Sequence, residues 1–219
     1  MSPGQAAPAA PVLEGESPGE TANALDSRAA LHVRVLAGSL QPTAGSHIYS
    51  AELIRRLANR GHRVSVVTLD SSGFQKEGVE VFDCPLRGWH ARPLVWRWQA
   101  PLEGWSARRR IHRLPLAAPD VVIASEHLLL KAHARRFPRT PWFYLPHSRT
   151  AAEEVASYGL AGAQRRSTSR YYVEQQRCAL RHAANVVRFN RDAAEALEKE
   201  AAEFGIPLHC LINPPGIEI

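Results

Sequence analysis

HVRVLAGSLQPTAGSHIYSAELIRRLANRGHRVSVVTL, residues 32–69, contains one complete strand–helix–strand unit, and the organisation of the rest of the chain can be read from it. Leu31–Ala37 is a short apolar run rich in β-branched residues, the mark of a strand. Gly38–Gly45 follows as a loop. Ser46–Arg60 then places Ile48, Ala51, Leu53, Ile54, Leu57 and Ala58 at helical spacing, which gives a helix one apolar face. Gly61 is the expected C-terminal stop. Val64–Leu69 is almost unbroken in its apolarity, so this strand is expected to be covered on both faces, as in a parallel sheet.

The same alternation continues along the chain. Strands are expected at Val79–Phe82, Asp120–Ala124, Trp142–Leu145, Asn185–Phe189 and Leu208–Ile212, with helices near 126–136, 166–183 and 191–204. Seven strands with intervening helices make an α/β, doubly wound, mainly parallel, Rossmann-like domain over residues 31–212. Residues 1–30 are rich in Ala, Pro, Gly, Ser and Glu and nearly free of large apolar residues. Burial cannot offset their ordering entropy, so a disordered tail is expected there.

A chain of 219 residues allows one domain plus a tail. With 45% hydrophobic and 22% charged residues, and no apolar run near the roughly 18 needed to cross a bilayer, it reads as a soluble protein. Cys84, Cys178 and Cys210 lie far apart without a CxxC pair, which suggests neither a disulfide framework nor a metal site. No cofactor is expected. Met1, Ser2, Pro3 and Gly4 open no export signal, and a cytoplasmic location fits best. The net charge of +6 conceals an asymmetry: four acids against Arg28 give the first thirty residues −3, leaving +9 on the remainder. Such a body could meet nucleic acid, anionic lipid or phosphorylated substrates.

Ligands of open parallel sheets bind outside the carboxyl ends of the strands. Those loops carry Gly38–Gly45, Glu126–His127, Pro146–His147–Ser148 and Asn190–Arg191. GSLQPTAG lacks the GxGxxG fingerprint of a dinucleotide site, though a glycine before a helix N-terminus lets backbone amides approach an anion. A plain tight turn serves equally well. His147 and Glu126 each end a strand and read either as satisfied loop residues or as groups facing a ligand.

RGWHARPLVWRWQAPLEGWSARRRIHR, residues 87–113, holds four of the five tryptophans and seven arginines against Glu103. Trp96, Trp98, Arg108, Arg109 and Arg110 stand out as candidates for contact with an anionic membrane or an acceptor. Stacking on nucleic acid and simple packing under a long loop are the competing readings. Pro93 and Pro101 are expected to break any long amphipathic helix here.

Four pieces in order give the chain its likeness. His32–Leu69 looks like an opening strand, glycine loop, helix and "RGHxVxVxT" strand, and PDVVIASEHLLL (Pro119–Leu130) is similar to a "PDVVHAH" element. PWFYLPHS (Pro141–Ser148) resembles a strand ending in histidine, and Ala183–Ile219 resembles a segment running from "ADxVIAxS" to "IPNGVD". Together they make residues 31–219 resemble the N-terminal domain of the family 4 glycosyltransferases, whose GT-B fold has two Rossmann-like domains.

The resemblance implies the acceptor-side half of a retaining enzyme that transfers a hexosyl group from a nucleotide sugar to a glycan, lipid or small-molecule acceptor. It makes His147 the catalytic residue facing the transferred sugar, and Ala44, Gly45 and Glu126 substrate-binding residues. Ala44–Gly45 replaces the family's paired glycines, which narrows one backbone approach point. Residues 213–219 would begin the interdomain linker, with the donor-binding domain absent, so the isolated chain is expected to be inactive. The alternative is a non-catalytic acceptor- or membrane-binding module, peripheral at the inner face of the membrane. An oxidoreductase is disfavoured by the missing glycine fingerprint. A nucleic-acid partner is disfavoured because arginines gathered in one loop give no recognition helix.

Overall fold

The computed structural model describes residues 29–42, 45–85, 99–146 and 161–213. Among these residues seven strands form one sheet: β1 (His32–Ser39), β2 (Arg63–Asp70), β3 (Val79–Asp83), β4 (Val121–Ala124), β5 (Trp142–Tyr144), β6 (Asn185–Arg188) and β7 (Cys210–Ile212). Their order is β3-β2-β1-β4-β5-β6-β7, and each neighbouring pair is parallel. Among the described residues the helices are α1 (Gly45–Asn59), α2 (Gln99–Arg113), α3 (His127–Arg136), α4 (Gly162–His182) and α5 (Arg191–Glu203). The expected doubly wound, Rossmann-like sheet is therefore present. From Leu31 onward the chain belongs to one unit.

Alternation along β1 explains the two layers. Val33, Val35 and Ala37 pack with Ala51 and Ile54 of α1, while Leu36 joins Ile111 of α2 and Leu129 and Leu130 of α3. Val64 through Thr68 of β2 are all buried, as a strand covered on both faces requires. Each large aliphatic side chain removed from water in this way stabilises the fold by roughly 1.5–3 kcal/mol.

Helix α2 corrects an expectation. Residues 99–113 form a fifteen-residue helix rather than part of a long loop. Pro101 does not break it because it lies in the first turn, where a missing N–H deprives no helical carbonyl of its donor. Ala107 and Ile111 anchor the helix in the core. At the far end of the chain β7 begins at Cys210 rather than Leu208: Pro207 lacks a donor, and Cys210 N donates to Glu198 Oε1 at 2.6 Å.

The least expected core residue is Arg34, fully buried on β1. Its Nε donates to Ser65 Oγ at 3.1 Å, its Nη2 to the Ala117 carbonyl at 2.8 Å, and its Nη1 lies 3.3 Å from His133 Nε2. A guanidinium can only donate, so His133 accepts at Nε2 and carries its ring proton on Nδ1. Burial, reinforced by Arg34 and Arg136, pushes the His133 pKa down to about 3. Burial also lowers Arg34 to about 10, which leaves it charged at neutral pH. Arg136 fastens the segment after α2 by donating from Nη1 to the carbonyls of Ile111 and Leu114 and from Nη2 to that of Leu116. These groups lie toward the amino ends of the strands, opposite the edge where ligands of such sheets bind.

Candidate functional site

The direction of winding reverses between β1 and β4, which are neighbours in the sheet. At such a reversal the loops leave to opposite faces and a crevice opens outside the carboxyl ends. Here the chain builds a tight junction. The backbone N–H groups of Ser125 and Glu126 both donate to the Leu36 carbonyl, at 2.9 and 3.2 Å, and Ser125 Oγ donates to the same oxygen at 3.2 Å. Ser50 Oγ of α1 lies 3.5 Å from Ser125 Oγ, tying the helix to the end of β4.

Gly38 is fixed from the other side by Thr68 Oγ1, which donates to its carbonyl at 3.3 Å. A Cβ on Gly38 would stand 2.9 Å from Glu126 Oε2, so the missing side chain gives the carboxylate its place. Glu126 is half-buried at the mouth of the junction. Gly45 opens α1 and is exposed, and a Cβ there would meet nothing within 4 Å. Among the described residues nothing therefore crowds the Cβ position of Gly45.

Farther along the edge, Arg188 at the end of β6 donates to the Pro146 carbonyl and so fixes the exit of the strand that leads to His147. Tyr49 of α1 meets Phe189 edge-on with ring centroids 4.8 Å apart, bringing α1 across to the end of β6. Asn190 caps α5 by accepting from Ala193 N at 2.8 Å. The ends of β1, β4, β5 and β6 are thus consecutive along one edge.

Asp70, at the end of β2, stands where a dinucleotide fold would present its ribose-binding carboxylate. Both of its oxygens are engaged: Oδ2 accepts from Gln41 Nε2 at 2.7 Å, and Oδ1 from Ser72 Oγ at 2.6 Å and Ser72 N at 2.9 Å. The Ser72 bonds hold its carboxyl below the usual range. It serves to join the loops after β1 and β2.

The residues singled out from sequence fall in two places. Glu126 belongs to the junction between β1 and β4, and Gly45 opens α1, whose Ser50 is the residue that reaches that junction. Arg108, Arg109 and Arg110 lie on α2, and Arg109 and Arg110 line a groove of about 410 Å³ with Asp83, Trp105 and Arg113. Ala44, Trp96, Trp98 and His147 lie outside the described residues. Sequence reading passed over Ser50, Ser125 and the contact of Gly38 with Glu126, which only the sheet order brings together. It also passed over the groove, although the four-residue spacing of Trp105, Arg109 and Arg113 marks one helix face.

Among the described residues no helix is long and apolar enough to cross a membrane, and no three His, Cys, Asp or Glu side chains gather to hold a metal ion.

No curated protein matches the chain. Among solved structures it is similar to a sucrose-phosphate synthase from Thermosynechococcus elongatus (12% identity, TM-score 0.50, covering 84% of this chain and 47% of that one). It is also similar to Arabidopsis thaliana UGT89C1 complexed with quercetin (15%, 0.50, 87% and 51%). Os79 from O. sativa in complex with UDP gives 16%, 0.50, 84% and 52%. At these identities the likeness establishes the fold alone, that of the N-terminal Rossmann-like domain of GT-B glycosyltransferases, and the chain spans about half the length of the structures it matches. The model of the glycosyl transferase 4-like domain matches residues 44–206, and the chain belongs to that family.

Proposed function

We propose that residues 31–212 form the acceptor-side half of the cleft of a retaining, nucleotide-sugar-dependent glycosyltransferase, whose donor side is supplied by a second α/β domain. The observation that carries this reading is the junction at the β1–β4 reversal, in a chain belonging to the glycosyl transferase 4-like family. UDP in Os79 and quercetin in UGT89C1 favour a nucleotide-sugar donor and a small-molecule acceptor, with glycan and lipid acceptors as the other classes.

Retaining transfer in such a cleft rests on positioning and electrostatics: the donor phosphate must be stabilised as it leaves while an acceptor hydroxyl is held close. In this proposal the first turn of α1, at Ala44–Gly45, offers backbone N–H groups to an anionic or hydroxylic group. Glu126 holds an acceptor hydroxyl, and His147, next to the fixed Pro146, faces the transferred sugar. The natural setting is the cytoplasm.

The test joins residues 1–219 to a donor-binding domain of the same family and follows UDP release with nucleotide sugars. His147→Ala is expected to lower turnover more than acceptor affinity. Unimpaired turnover in that variant would remove His147 from the site.

A second reading is favoured by α2, whose exposed Trp105 and arginine cluster suit a non-catalytic acceptor- or membrane-binding module. In that reading Trp96, Trp98, Arg108, Arg109 and Arg110 touch the inner face of the membrane. Saturable acceptor binding by the joined protein, without turnover of any nucleotide sugar, would favour it.

A further inference from the structure

The groove between β3 and α2 lies two strands from the β1–β4 junction and takes no part in the glycosyl-transfer reading. Its wall on α2 carries Trp105, Arg109 and Arg113 at four-residue intervals, with Ser106 and Arg110 beside them, and its other wall is Asp83 at the end of β3. Trp105 is 58% exposed, an unusual state for an indole, and the Arg109 guanidinium lies 5.2 Å from its ring centroid. The helix is anchored by Ala107 and Ile111 on its opposite side, so this face is presented by a fixed element.

The charges in the groove are not balanced from within. Among the described residues no carboxylate forms an ion pair with Arg109, Arg110 or Arg113. Asp83, the one acid in the wall among the described residues, is turned to Ser71, accepting from its N at 3.0 Å and its Oγ at 2.9 Å. Three guanidiniums around one opening suit a phosphate, whose oxygens match their planar forks. An exposed indole beside them suits an apolar body attached to that phosphate.

We propose that this groove binds a single phosphorylated amphiphile, its phosphate among Arg109, Arg110 and Arg113 and its apolar chain along Trp105 and Leu102. A groove of about 410 Å³ holds a headgroup and a first stretch of chain, the dimensions of a ligand site. The inference does not depend on glycosyl transfer, and its test contains no sugar donor.

The experiment titrates the purified 219-residue chain with dodecyl phosphate below its micellar concentration, by calorimetry. One saturable site is expected, weakened by salt and competed by inorganic phosphate. Arg109→Gln with Arg113→Gln is expected to weaken binding by about tenfold or more, since each removes a charge-assisted hydrogen bond. Trp105→Ala is expected to weaken dodecyl phosphate while leaving inorganic phosphate unaffected. Unfolding curves identify variants that have lost the fold, and the phosphate competition needs no variant. Equal affinity for dodecyl maltoside, no competition by phosphate, or unchanged binding by the folded double variant would overturn the proposal. Capture by phosphatidic acid vesicles without binding of the monomeric alkyl phosphate would also overturn it, because the partner would then be a bilayer surface.

Discussion

Glu126 Oε2 lies 2.9 Å from the point that a Cβ on Gly38 would occupy, so the carboxylate at the end of β4 rests on the bare backbone of β1. Gly38 does not have a positive φ, so contact rather than backbone strain reserves this position for glycine. Gly38→Ala is expected to displace the carboxylate while costing less than about 1 kcal/mol of stability, because the displaced atom ends a flexible side chain. In the joined enzyme it should weaken acceptor use. The check is a double-mutant cycle: in a Glu126→Ala background, Gly38→Ala should have no further effect.

Two glycines of the first unit should respond oppositely to alanine. Gly61 has φ +82°, a region that strains any residue with a Cβ, and Gly61→Ala is expected to cost about 1 kcal/mol in urea unfolding. A Cβ on Gly45 would meet nothing within 4 Å among the described residues and its φ is not positive, so Gly45→Ala should leave stability unchanged or slightly raised. Gly45→Val in the joined enzyme should leave the fold intact and lower turnover by obstructing approach to the first turn of α1. Unchanged turnover would remove Gly45 from the binding surface.

Arg34 should be among the most sensitive positions in the fold. Its three hydrogen-bonding groups join β1 to β2, to α3 and to the segment before β4. Arg34→Ala leaves a cavity and orphans the Ala117 carbonyl, so a loss of about 3 kcal/mol or more is expected. The shift of the urea midpoint at constant slope measures it.

Acid should weaken the same network through His133. Its pKa is 6.5 in the unfolded reference and about 3 in the fold, where burial and the neighbouring Arg34 and Arg136 oppose a charge. Above pH 6.5 neither state binds the proton. Below that value the unfolded chain takes it up and the folded chain does not, so stability falls as pH drops from 6.5 toward 3. His32, also lowered chiefly by burial, acts in the same direction. Unfolding midpoints at pH 7.5 and 5 should differ in the parent and differ less in a folded His133→Gln variant.

The first unit was legible because β1 and β2 are apolar runs rich in β-branched residues and buried through their middles, and because α1 separates its apolar positions at helical spacing. Helix α2 was not, because a proline breaks a helix from its interior but is tolerated in the first turn, and the sequence around Pro101 does not mark where the helix begins. Burial of Arg34 could not be read from HVRVLA, since its partners Ser65, Ala117 and His133 are distant in sequence and converge only through the order of the strands. The junction shows the same limit: Glu126 was visible as a polar residue ending a strand, whereas its seat on Gly38 depends on β4 lying beside β1. His147 and Ala44 carry roles that rest on the family likeness.

Because residues 31–212 are proposed to supply one side of a two-sided cleft, nucleotide-sugar turnover by residues 1–219 alone should be compared with turnover by the same residues joined to a donor-binding domain of the same family. Each missing contact to the leaving phosphate costs on the order of 3 kcal/mol of transition-state stabilisation, and several are missing when the donor side is absent. No detectable release of UDP is expected from the 219 residues alone, and clear release, dependent on Glu126, from the joined protein. Robust turnover by residues 1–219 alone would contradict the proposal.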